Sequence, residues 1–103
     1  MSKISKLNDK FRTTFEGGEV YISSIIAEKK TCEWIKIIKA VQGFEKFTPD
    51  NDPHGEHDLG IVEVNGQNYI WKIDYYDLKG SEHSPDPANP AVTRRVLTIS
   101  TEY

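Results

Sequence analysis

Nine residues, 50 to 58, hold four carboxylates and two imidazoles: Asp50, Asp52, Glu56 and Asp58 with His54 and His57. Pro49, Pro53 and Gly55 interrupt regular structure there. A stretch so polar does not fill a core; it binds something or organises the surface around a site. Imidazole and carboxylate are ligand types for zinc, manganese or iron. His54, Glu56, His57 and Asp58 are therefore candidate metal ligands, and a divalent metal is the one cofactor the residue types suggest. The spacing departs from known metal motifs. No His-Glu-x-x-His helix exists. An EF-hand loop with Asp50, Asp52 and Gly55 at its first, third and sixth positions would put Ile61 where a bidentate Glu must stand.

A second constellation depends on a hairpin. Two strand-like runs within residues 57–76 flank Asn65-Gly66, a dipeptide that tolerates the positive φ of a type I′ turn. With Asn65 and Gly66 as the turn, Val64 pairs with Gln67, Val62 with Tyr69, Ile61 with Ile70 and Gly60 with Trp71. Continuing outward sets Asp58 against Ile73 and His57 against Asp74. An Asp beside a His orients the ring and favours imidazolium, which suits a general base or a ligand-binding pair. The same pair would also serve as a plain cross-strand lock between loop and sheet. By alternation Tyr76 shares the His57 face. Tyr75 or Tyr76 would offer a ring or hydroxyl to a ligand, and Trp71 reads as core or as a stacking platform.

Arg94-Arg95 is the main positive feature of the C-terminal half. On a strand the two guanidinium groups point to opposite faces. One would clamp a phosphate or carboxylate, or tie to the acidic loop through Asp50 or Asp52. Nucleophilic catalysis has little to support it. Cys32 sits in a helical first turn, and neither a Gly-x-Ser-x-Gly elbow nor a nucleotide-loop glycine signature occurs. No catalytic residue is assigned.

The elements that must position these groups follow from periodicity. Ile4, Leu7, Phe11 and Phe15 make one apolar stripe over residues 3–15, with Ser2 as cap and Gly17-Gly18 as stop. Val20-Tyr21-Ile22 reads as a short strand. Thr31 would cap a second helix carrying Trp34, Ile37, Ile38 and Val41. On the hairpin, Val62, Val64, Tyr69, Trp71 and Ile73 share the core face. Residues 79–90 form a proline-rich loop, and residues 92–101 form the last strand. The fold class is α+β: two helices packed on one small antiparallel sheet centred on the 57–76 hairpin, with residues 1–103 a single domain.

The bulk properties agree with that class. At 103 residues, 37% hydrophobic and 28% charged, the chain suits one globular domain. A net charge of −3 argues against non-specific nucleic-acid binding. Cys32 is the single cysteine, so no internal disulfide forms. No apolar run approaches the roughly 20 residues of a membrane helix. The start carries no apolar signal stretch, so the expected location is cytoplasmic.

Several of these segments are similar to the domain-of-unknown-function family 3768. They are Asn8-Asp9 with Phe11-Arg12, Gly17-Gly18, the run from Phe47 through Pro53 into Gly55-Glu56-His57-Asp58, the run from Trp71 to Asp77, and the run from Asp86 to Ile99. The stretch from Gly18 to Gln42 matches least well. The resemblance implies no assigned reaction. It implies a setting, since such small proteins are carried on bacterial chromosomes, plasmids and phages, where an anti-defence role is an expectation by association.

Together these readings point to a non-enzymatic binding protein of phage or mobile-element type. It would sequester a small anionic, nucleotide-like ligand or block a host defence protein. Arg94 or Arg95 would hold the anion, Tyr76 or Trp71 would stack, and His57, Asp74, Glu56 and Asp52 would position polar atoms. The rival reading is a small metal-assisted hydrolase using the His/Glu/Asp loop. An exposed sheet edge would also allow two copies to pair as a homo-oligomer.

Overall fold

The computed structural model describes residues 2–101. Helix α1 spans Lys3–Thr14, and the Ser2 hydroxyl accepts the Ser5 N–H at 3.0 Å as its cap. The helix ends short of the glycines: Phe15 enters the left-handed region at φ 60°, and its N–H closes on the Phe11 carbonyl. Strand β1 is Gly18–Ile22. A single helical turn that periodicity did not announce, α2 at Ser24–Ala27, buries Ile26. Helix α3 is Thr31–Gln42; Thr31 is its first helical residue, and the cap position falls on Lys30.

Strands β2 (Leu59–Val64) and β3 (Gln67–Tyr76) form the hairpin in the register deduced above, from Val64 opposite Gln67 to Gly60 opposite Trp71. Asn65 and Gly66 both have positive φ, as the turn requires. Strand β4 (Arg94–Thr101) follows a short 3-10 turn at Pro90–Val92. The sheet order is β1-β4-β3-β2. β4 runs antiparallel to β3, but β1 pairs parallel to β4, so the sheet is mixed, though mostly antiparallel.

The helices lie on one face of this sheet. Trp71, Ile73, Leu97 and Ile99 meet Phe11, Ile37 and Val41 there to form the core. Gly60 has a packing reason to be glycine, because a Cβ would stand 2.5 Å from the Trp71 indole nitrogen. The opposite face carries Glu19, Tyr21, Ile61, Ile70, Lys72, Asp74, Tyr76 and Arg94, the strand positions that alternate with the core residues. Among the described residues no helix is long and apolar enough to cross a membrane.

Candidate functional site

His57 departs from the hairpin expectation. The β2–β3 ladder reaches back to Asp58, whose carbonyl accepts the Ile73 N–H at 2.7 Å, and there the alternation stops. His57 has φ 56°, in the left-handed region. That conformation turns its ring from the open sheet face to the helix side. Asp52 holds the backbone in place, its Oδ1 accepting the Glu56 and His57 N–H groups at 3.1 and 3.2 Å.

The partner of His57 is therefore not Asp74. Nδ1 lies 3.0 Å from both carboxylate oxygens of Asp9 on α1, and Nε2 lies 3.5 Å from Asp52 Oδ2. The ring stacks on Phe47 with centroids 3.9 Å apart and planes 1° from parallel. Asp9 also accepts from Arg12 at 3.1 Å. Arg12 donates onward to the Val41 and Gln42 carbonyls at the C-terminus of α3, and lies over the rings of Phe47 and Trp71. This cluster clasps α1, α3 and the 44–58 loop together.

A second network lies behind it, centred on Asn8, which is fully buried. Its amide nitrogen donates to the Tyr75 hydroxyl at 2.6 Å and to the Glu56 carbonyl at 2.9 Å; its oxygen accepts from Arg95 Nε at 2.9 Å. Arg95 Nη2 donates to the Pro87 carbonyl, and the guanidinium lies 5.3 Å above the Tyr75 ring. Pro87 is held by its loop, where Thr93 Oγ1 donates to the Asp86 carbonyl and meets Ser84 Oγ at 2.7 Å. Burial, above all, pushes the Tyr75 phenol pKa well up. Burial and then the neighbouring Asp58 carboxyl push the Glu56 pKa up.

Arg95 is only 3% exposed, and it forms no salt bridge among the described residues. Burial pulls its pKa down from the usual arginine value, as expected for a cation lacking a countercharge. Nη1 makes no hydrogen bond among the described residues, and Arg95 lines a pocket of about 270 Å3 with Leu7, Lys10, Phe11, Glu16 and Pro90.

The residues singled out in the sequence thus divide between two faces. Asp52, Glu56, His57, Trp71 and Arg95 lie on the helix side; Asp74, Tyr76 and Arg94 lie on the open side. Asp74 sits 3.4 Å from Lys72 on the surface. Arg94 Nη2 is taken by both Glu19 oxygens at 2.7 and 2.6 Å, and Tyr21 donates to the same carboxylate. Trp71 is fully buried, so its ring is closed to any stacking ligand. His54 is exposed, and among the described residues no three His, Cys, Asp or Glu side chains gather as a metal centre needs. The proposed set His54, Glu56, His57 and Asp58 does not converge because His57 is drawn away to Asp9. Asn8, Asp9 and Arg12 join the site unforeseen as functional residues, and of the two candidate tyrosines it is Tyr75 that enters the buried network.

Fold and site together define a small α+β domain with a buried, uncompensated arginine behind a polar clasp. The profile of the family described as "Protein of unknown function (DUF3768)" matches residues 22–102, and the chain belongs to that family. The match starts after α1, so Asn8, Asp9 and Arg12 lie outside it even though they bond directly to residues within it. Neither the curated proteins nor the solved structures contain a match to this chain.

Proposed function

We infer that the protein is a small, non-enzymatic binding module whose pocket between α1 and the start of β4 takes one anionic group. The observation that carries this reading is Arg95. A buried cation met only by neutral oxygens and an aromatic ring bears a desolvation cost of several kcal/mol that an anion would offset. Arg95 lines the pocket with Nη1 free of any hydrogen bond among the described residues, and exposed Lys10 stands at the rim as a second cationic donor. With Nε and Nη2 occupied, Arg95 offers one point of attachment, not its bidentate fork. Glu16 at the same rim disfavours polyanions. About 270 Å3 suits a carboxylate or a single phosphate with a short apolar body against Leu7, Phe11 and Pro90. A nucleotide-like signal, the ligand of an anti-defence module, would insert its phosphate and leave its base outside.

The test is an NMR titration of the full chain with inorganic phosphate, acetate and adenosine monophosphate. Saturable shifts are expected at the Lys10, Phe11 and Arg95 amides, and lost in Lys10→Glu, which changes only an exposed side chain. Absence of saturable shifts at these amides up to tens of millimolar would end the reading.

A further inference from the structure

The free edge of the sheet at β2 is built to accept another strand. Residues across an antiparallel ladder alternate between bonding inward and pointing outward. The turn at Asn65-Gly66 and the Ile73–Asp58 bond fix the phase: the even-numbered residues 58 to 64 bond to β3. The N–H and C=O groups of Leu59, Ile61 and Glu63 therefore point away from the sheet. No backbone or side-chain bond from the 44–53 loop reaches them among the described residues. The strand, Leu-Gly-Ile-Val-Glu-Val, contains no proline and no lysine, the devices that usually blunt an edge. Leu59 and Ile61 are 40% and 47% exposed, and with Ile70 they form the strand side of a mostly apolar groove of about 530 Å3 whose other side is the 44–53 loop.

We propose that the occupant is the β2 strand of a second copy, antiparallel about a two-fold axis at Ile61, giving one continuous eight-stranded sheet. In that register Ile61 faces its own counterpart, and Leu59 of each copy faces Glu63 of the other. All three outward-pointing residues then find outward-pointing partners, the self-complementarity an isologous interface requires. The side chains match as well. Ile70 stands beside Ile61 within each hairpin, so four isoleucines form an unbroken row across the new junction. Lys72 stands beside Leu59, which places the other copy's Glu63 two strands away, about 10 Å between backbones and within reach of the two side chains. One Lys–Glu pair then closes each end of the isoleucine row.

Sedimentation of the full chain from micromolar to millimolar concentration should show reversible conversion of the 11.8 kDa monomer to twice that mass. Ile61→Lys sets two like charges on the axis and should hold the chain monomeric with an unchanged circular-dichroism spectrum, since Ile61 is largely exposed. Glu63→Lys should weaken the dimer at least tenfold, and adding Lys72→Glu should restore it. In the dimer, amide exchange should slow at Leu59, Ile61 and Glu63 relative to the dilute monomer. A monomer at every concentration overturns the proposal, as does a dimer that survives Ile61→Lys.

Discussion

Replacing His57 tests whether the clasp is an energetic element or a surface decoration, and two substitutions separate its parts. His57→Ala removes the bond to Asp9, worth roughly 2 kcal/mol for a hydrogen bond to a charged group. It also removes the stack on Phe47, worth roughly 1 kcal/mol. The Nε2 contact with Asp52 is long at 3.5 Å and adds little. The expected loss is about 3 kcal/mol, large against the roughly 0.5 kcal/mol of an ordinary surface substitution. His57→Gly loses the same contacts but suits φ 56°, where a side chain costs roughly 1–2 kcal/mol. The added freedom of glycine in the unfolded chain returns roughly 0.5–1 kcal/mol of that. The glycine variant should therefore be more stable than the alanine variant by about 0.5–1 kcal/mol while remaining below the wild type. In urea, with a slope of about 1.5 kcal/mol per molar, the alanine midpoint should fall by about 2 M. An alanine variant within about 0.5 kcal/mol of wild type, or a glycine variant below alanine, would refute the account of His57 as a strained and bonded clasp.

Asn8→Ala takes one hydrogen bond each from the Tyr75 hydroxyl and Arg95 Nε and leaves the Glu56 carbonyl unbonded, and should cost about 3 kcal/mol in urea unfolding; Asn8→Asp supplies the missing countercharge to Arg95 and should retain the fold while abolishing the phosphate-induced NMR shifts. Tyr75 is held neutral by burial, so its folded pKa stands above the ordinary 10.0. The unfolded phenol ionises first, so the Tyr75 contribution to stability should be flat below pH 10 and fall as pH rises beyond it, with one tyrosine missing from the ultraviolet titration of the folded state. Glu56 also has a raised folded pKa, so its ionisation favours the unfolded chain above 4.5; Glu56→Gln should raise the melting temperature at pH 7, and the gain should vanish below pH 4.

The sheet was legible because its signals are local. Asn65-Gly66 fixed the turn, and period-two alternation carried the register outward to Gly60 and Trp71. The parallel β1–β4 pairing was not, because it joins residues more than 70 apart in sequence and leaves no local trace. Helix α1 showed its apolar stripe but hid a second one. Ser5, Asn8 and Arg12 are buried on the same helix at a spacing that also marks one face, and polar residues in that pattern are ordinarily read as solvated. His57 was misplaced for a different reason. Alternation assumes extended backbone, and a left-handed histidine followed by an intact ladder gives no compositional warning of the kind a glycine gives.

The arginine pair shows where stricter use of the same rule would have gone further. Parity alone says that Arg94 and Arg95 face opposite ways. Leu97 and Ile99 fall on one side of the last strand by the same alternation, and stepping back by two from Leu97 reaches Arg95. Had that side been identified as the core side, Arg95 would have been assigned to the interior and Arg94 to the open face, as the structure has them. An arginine at a core position demands a reason, and here none of the described carboxylates supplies one. The position of the charge was within reach of the sequence. Its lack of a counter-ion was not, since that depends on Asn8 and Pro87 arriving from two distant segments to occupy the guanidinium with neutral oxygens. The binding proposal rests on that combination: the strand pattern puts the cation inside, and the tertiary contacts leave its charge unanswered.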